Sequence, residues 1–267
     1  MKLKQSRVTR QFGLTADELS FYRHHGYLVR ERVFSPDEIS ALRASVETAV
    51  ARAHRETADG RTYFLDGNRF VDVGPMTVQY EHEAGSDTIR VIEPVQHLDP
   101  GINSLVRDLR IVNPIRDILG QEAIAVWTNK LNLKRAQGGS GFGWHQDSPY
   151  WIHDSRHVDL LPNVYVAFDD ANRANGCLQV IDRSHVNGCL PGTSDGTQLG
   201  GFFTDPDCFS ENDAVALEVK AGSMAFFDAH VIHGSEPNRS DSARRAIVMT
   251  YQPGGHPMLK TGEISDI

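Results

Sequence analysis

From Ile124 to Tyr251 the chain is a succession of short apolar runs, each too brief to stand as a buried helix: Ile124 to Trp127, Val164 to Phe168, Leu178 to Ile181, Ala214 to Val219, Met224 to Phe227 and Ala246 to Tyr251. Runs of this length, rich in Val, Ile, Phe and Tyr and bounded by turn residues, are expected to be strands. Asn175-Gly176 falls between two of them and reads as a hairpin turn. Many short strands with helical signals gathered ahead of them point to a mainly β fold with flanking helices. The expected core is a double-stranded β-helix (a cupin-like, double-sheet jelly roll) with a metal site between its sheets.

The helical signals lie at the front. Thr15-Ala16-Asp17-Glu18 and Ser35-Pro36-Asp37-Glu38 both read as capping boxes. The first opens a short helix carrying Leu19 and Tyr22 on one face. Gly26 closes it, and Tyr27-Leu28-Val29 follows as a strand. The second opens a helix whose Ile39, Leu42, Val46 and Val50 form one buried stripe. Glu56 to Pro94, broken by Gly60, Gly67, Gly74-Pro75 and Gly85, is expected to hold short strands and loops, either a lid or an ordinary surface excursion. Asn113-Pro114 is expected to begin a helix that Gly120 closes.

With 267 residues, 40% of them hydrophobic and 23% charged, the chain fits one domain spanning 1–267 with its helices at the N-terminal end, and no apolar run approaches a membrane span. A formal net charge of -8 argues against nucleic acid or an anionic membrane as partner and favours a small-molecule substrate. The basic lead Met1 to Arg7 has no apolar signal-peptide core after it. Cys177, Cys189 and Cys208 lack metal-type spacing and read as reduced thiols, so a cytoplasmic setting is expected.

Chemistry enters at Trp144-His145-Gln146-Asp147. On extended backbone, residues i and i+2 share a face, so His145 and Asp147 can converge on one metal ion. The third ligand is expected from Phe227 to Ser235, where His233 precedes Gly234-Ser235. Two imidazoles and one carboxylate leave coordination positions open, the donor set of a non-haem Fe(II) oxygenase. His230 is the rival, but three residues from His233 it would face the other way on a strand, behind the site or in the core. Arg244, eleven residues after His233, heads the run Ala246 to Tyr251, where a guanidinium can grip a dicarboxylate bidentately. Alternation lets only one of Arg244 and Arg245 face the pocket, and we assign Arg244.

This order of His-x-Asp, His-Gly-Ser and Arg resembles the phytanoyl-CoA dioxygenase family of Fe(II)- and 2-oxoglutarate-dependent oxygenases. Leu131 to Lys134, Asp147 to Trp151, and Gly176 to Ile181 followed by Arg183-Ser184-His185 are similar to segments of that family, and the likeness runs from Thr15 to Tyr251. Arg183 departs from it, standing where the family usually has Gly and implying a slightly different turn. The resemblance implies iron held by His145, Asp147 and His233, with 2-oxoglutarate and dioxygen as co-substrates. Arg244 would hold the far carboxylate of 2-oxoglutarate. Ser235 and Asn132 would donate to its carboxylates or satisfy local partners.

Thr128, Lys130, Lys134 and Trp151 flank the clamp and are candidates to line the substrate pocket. The expected reaction is hydroxylation of an unactivated C–H bond in an amino-acid-like or natural-product small molecule. Desaturation, epoxidation or cyclisation would need the same ligands. A metal- and metabolite-binding relative without turnover is the alternative of a different class.

Overall fold

The computed structural model describes residues 10–267; the basic lead Met1 to Arg7 lies outside the described residues. Both capping boxes form. Thr15 and Glu18 exchange side-chain-to-backbone bonds at the start of α1 (Ala16–His25), and Gly26 closes that helix in the left-handed region at φ 81°. After β1 (Tyr27–Arg30), Ser35 and Glu38 repeat the box at α2 (Pro36–Glu56), which buries Ile39, Val46, Val50 and Ala53 in the main core. Each box satisfies two helix-end N–H groups, so these starts are fixed locally before any packing.

Glu56 to Pro94 folds as an antiparallel meander of β2 (Arg61–Leu65), β3 (Asn68–Val73), β4 (Met76–Tyr80) and β5 (Ile89–Glu93). Val71, Met76, Val78, Ile89 and Ile92 belong to the main core, and other residues of the meander line a cavity, so the segment is sheet wall. Next come α3 (Pro100–Leu105) and α4 (Leu109–Leu119). The latter starts ahead of the Asn113-Pro114 signal, because Asp108 caps it by accepting from Arg110 N, and Pro114 lies inside the helix. Proline there removes one helical hydrogen bond, and the burial of Ile111, Val112 and Ile115 on the core offsets the loss.

The remaining elements are β6 (Ile124–Lys134), β7 (Phe142–His145), α5 (Ser148–Trp151), β8 (Asn163–Ala167), β9 (Gln179–Ile181), β10 (Ala214–Ala216), β11 (Met224–Phe227), β12 (His233–Ser235) and β13 (Arg244–Pro253). Among the described residues, nine strands form one antiparallel sheet in the order β1-β11-β8-β13-β6-β5-β4-β3-β2, and four form a second in the order β10-β9-β12-β7. This is the expected jelly roll. The long pair β6 and β13 runs from Lys134 opposite Arg244 to Ile124 opposite Pro253. The helices and one face of the large sheet make the main core, and the other face turns toward the small sheet.

Asn175-Gly176 is not a hairpin. Asn172 and Asn175 bond reciprocally around a 3-10 turn that Gly176 closes at φ 74°, and the flanking β8 and β9 lie in different sheets. The dipeptide carries a left-handed residue, as the signal requires, but the chain uses it to cross between layers. A Cβ on Gly176 would overlap the Glu236 carbonyl. Arg183 adopts φ 60°, the left-handed conformation that a glycine takes without strain. No helix among the described residues is long and apolar enough to cross a membrane.

Candidate active site

His145 and His233 are direct cross-strand partners on β7 and β12, with ring centroids 4.2 Å apart. Each imidazole is oriented by its own backbone. Nδ1 of His145 donates to Gly143 O at 2.7 Å, and Nδ1 of His233 donates to Val231 O at 2.9 Å. A carbonyl can only accept, so both rings carry a proton on Nδ1, which leaves Nε2 as the nitrogen free to ligate. Burial, with His233 beside it, pushes His145 down to about 3, so it is neutral and able to ligate at physiological pH.

Asp147 reaches the same point by a different route from the extended i, i+2 geometry. The strand ends at His145, and Asp147 has helical dihedrals, φ -77° and ψ -30°. The turn is held because Asp147 N and Ser148 N both donate to Ala229 O, at 3.0 and 3.1 Å. Between the two ligands Gln146 is fully buried; its amide donates to Gly188 O and His230 O and accepts from Leu190 N. One potential ligand atom from each of His145, Asp147 and His233 falls within 4.8 Å of the others, and His233 Nε2 lies 3.9 Å from Asp147 Oδ2. Neutral imidazoles and a hard carboxylate on one side of an ion fit Fe(II) with open positions opposite.

The Asp147 carboxylate is held from behind. Asn163 donates to Oδ2 at 2.9 Å, and its own Oδ1 accepts from the Thr250 hydroxyl at 2.6 Å. Lys130 Nζ lies 3.6 Å from Oδ1. Burial alone would raise this carboxyl, but the Lys130 ammonium, with smaller contributions from His233 and His145, outweighs it and holds Asp147 below its ordinary value. Burial likewise works against the Lys130 ammonium, and Glu93 with Asp147 more than compensates and raises it.

The triad opens into a cavity of about 420 Å³ between the sheets. Arg244, Ser235 and Asn132 line it, as does Lys130. Arg244 is 3% exposed; its Nε and Nη2 donate to Gly176 O, and it lies over the Tyr165 ring, whose hydroxyl has no hydrogen-bond partner among the described residues. Arg245 points away and pairs with Asp169 and Glu47. The other expected pocket residues stand elsewhere. Thr128 is buried against Glu93, to which its hydroxyl donates at 2.7 Å. Trp151 packs with Trp127, Leu161 and Ala229, because the α5 turn rolls it into the core. Lys134 is fully buried, its Nζ donating to Ser235 Oγ and Glu236 O. His230 stands behind the triad, bonded to Ser148 and Asp159.

Several cavity residues escaped the sequence reading: Arg90, Glu93, Tyr165, and Tyr150, whose ring stacks on Phe202 at 4.4 Å. One signal was available. Arg90 interrupts the apolar run Ile89 to Ile92, and a charge inside a buried strand needs a reason.

A family model described as phytanoyl-CoA dioxygenase matches residues 22–246. Ectoine dioxygenase of Bordetella parapertussis is 31% identical over 256 residues, covering 89% of this chain and 75% of that protein. Phytanoyl-CoA dioxygenase of Arabidopsis thaliana is 25% identical over 248 residues, covering 87% of each chain. Among solved structures, EctD from S. alaskensis with 2-oxoglutarate and 5-hydroxyectoine superposes with a TM-score of 0.73 at 23% identity, covering 95% of this chain and 81% of that one. The non-heme alpha ketoglutarate dependent carbocyclase SnoK gives 0.65 at 20% identity, covering 90% and 85%.

Proposed function

The chain belongs to the phytanoyl-CoA dioxygenase family, and on that footing we propose that it hydroxylates a small, amino-acid-like molecule in the cavity above His145, Asp147 and His233. It is an Fe(II)- and 2-oxoglutarate-dependent dioxygenase. The observation that carries the assignment is the convergence of the two-histidine, one-carboxylate set and the Arg244 guanidinium on one cavity. When bound, iron with 2-oxoglutarate and dioxygen supplies the oxidant for an unactivated C–H bond.

The residues divide the labour by place. His145, Asp147 and His233 hold the metal, and Asn163 fixes the rotamer of the carboxylate. Arg244, with Ser235 and Asn132 on the same wall, binds the carboxylates of 2-oxoglutarate. Buried guanidinium and hydroxyl donors favour a dianion over a neutral metabolite, because the co-substrate supplies acceptors that water would otherwise provide. Tyr150, Phe202 and Phe203 cover the cavity and limit water beside the metal. Three unbonded cysteines support a cytoplasmic setting, and a net charge of -8 supports a small-molecule substrate over nucleic acid or an anionic membrane.

The test is anaerobic. Purified protein given Fe(II) and 2-oxoglutarate should develop the weak visible charge-transfer band of the chelate. Asp147→Ala should abolish the band, and Arg244→Ala should raise the 2-oxoglutarate concentration needed for it by about tenfold or more. Folded, iron-loaded protein without a band would overturn the assignment.

A further inference from the structure

Arg90 reaches the cavity through a fault in the sheet. On β4 and β5, Gln79 pairs with Val91 and Tyr80 pairs with Ile89, so Arg90 is the extra residue of a β-bulge. In a regular strand Val91 and Glu93 would share one face and Arg90 would point to the other. The bulge breaks that alternation, and Arg90, Val91 and Glu93 all line the cavity. Bulges re-aim side chains in this way beside functional sites.

What it brings there is an incompletely used cation. Arg90 is 8% exposed, its guanidinium lies 3.8 Å above the Phe142 ring, and Nη2 donates to Gly141 O. Among the described residues its buried Nε has no hydrogen-bond partner and no carboxylate forms an ion pair with it. The carboxylate that acts on it is Glu81, outside the cavity lining, whose Oε2 accepts from the backbone and hydroxyl of Ser140 and whose buried Oε1 has no hydrogen-bond partner among the described residues. Burial pulls the guanidinium down to about 10, against the attraction of Glu81. A buried charge with a free donor is expensive unless a ligand completes it.

We infer that Arg90 is a specificity-determining residue that receives an anionic group of the substrate, so that the enzyme selects small molecules bearing a carboxylate or a like oxyanion. This rests on the dioxygenase reading above and names the substrate class of the same cavity. Arg244, two strands away across β6, is assigned to the co-substrate. The two arginines thus separate two anions that would otherwise compete for one site. The aromatic face of Phe142 fixes the guanidinium plane, which suits planar bidentate recognition and which Lys would reproduce only as a point charge.

The experiment uses the iron-loaded enzyme with 2-oxoglutarate and dioxygen. The probes are ectoine, 2-aminoethylphosphonate and a set of small cyclic amino acids, each carboxylate beside its primary amide, with succinate release and product mass read together. Acids should stimulate turnover, and each matched amide should be lower in kcat/KM by on the order of 10²-fold. Arg90→Met should erase that acid-over-amide preference while leaving the anaerobic chelate band and the affinity for 2-oxoglutarate unchanged, and Arg90→Lys should restore part of the preference. A merely structural Arg90 would change stability and leave selectivity alone. The inference is overturned by equal rates for acids and amides, by a preference that survives in Arg90→Met, by weaker 2-oxoglutarate binding in that variant, or by no acid stimulating succinate release while the band is intact. Loss of the band in wild type would instead refute the dioxygenase reading beneath it.

Discussion

Lys134, the cross-strand partner of Arg244 in the large sheet, donates from its amino group to Ser235 Oγ on the small sheet across 2.8 Å. Burial, with the charges of Arg244 and Arg90, pushes this lysine down to about 6. Unfolded, a lysine titrates near about 10.4. Between those values the unfolded chain binds the extra proton, so stability rises with pH, and the penalty for burying the ammonium is present in full below about pH 6. Wild type should therefore gain on Lys134→Met as pH is raised from about 6.5 to 8.5, with a limiting slope of about 1.4 kcal/mol per unit. Urea unfolding of both proteins at each pH measures it, and a flat difference would refute the shift.

Asn163 is a stronger test of the metal site than a ligand substitution, because it touches no open coordination position. Asn163→Ala removes the donor to Asp147 Oδ2 and leaves the Thr250 hydroxyl without its acceptor. Iron affinity should fall by about 10- to 100-fold while the fold persists. Competition against a chromophoric chelator reads the change; unaltered affinity would show that Asp147 needs no such support.

The cavity roof is tied to the meander by one carboxylate. Asp66, at the β2–β3 turn, accepts from Gln198 N and Leu199 N at 2.9 and 2.7 Å, just ahead of Phe202 and Phe203. Asp66 has φ 48°, so Asp66→Gly removes both bonds without adding backbone strain. Amide exchange at Gln198 and Leu199 should accelerate by about tenfold, corresponding to hydrogen bonds of about 1–1.5 kcal/mol, and the substrate KM should rise. Unchanged exchange would show that the roof is held elsewhere.

Gly176→Ala should destabilise the protein by about 2–4 kcal/mol, since the new Cβ combines a left-handed conformation with overlap on the Glu236 carbonyl. Thermal unfolding measures the loss. A variant as stable as wild type would mean that the turn relaxes at no cost.

Sequence made local chemistry legible and left layer crossings obscure. The boxes at Thr15 and Ser35 are complete within four residues, and both form as read. His145, Asp147, His233 and Arg244 stand out because their spacing and residue types are rare together, and the fold brings all four to one cavity. Asn175-Gly176 misleads because its φ preference is real, yet the partner sheet of each flanking strand is decided by distant contacts. Pro114 misleads because the Asp108 cap and the burial around α4 outweigh its local preference. Arg90 stands out as a charge inside an apolar run, but its place in the cavity depends on a bulge, which is a property of two strands and is invisible in either alone.

The hydrogen bonds from Asp147 N and Ser148 N to Ala229 O join the two stretches that supply the ligands, although those stretches lie far apart in the chain. With the cross-strand pairing of His145 and His233, they close the long loop as the protein folds. The entropy of bringing the three donors together is thus spent in folding and is not charged again when a metal arrives. His145, Asp147 and His233 would thus offer iron a preorganised socket whose walls are held by the protein's own hydrogen bonds.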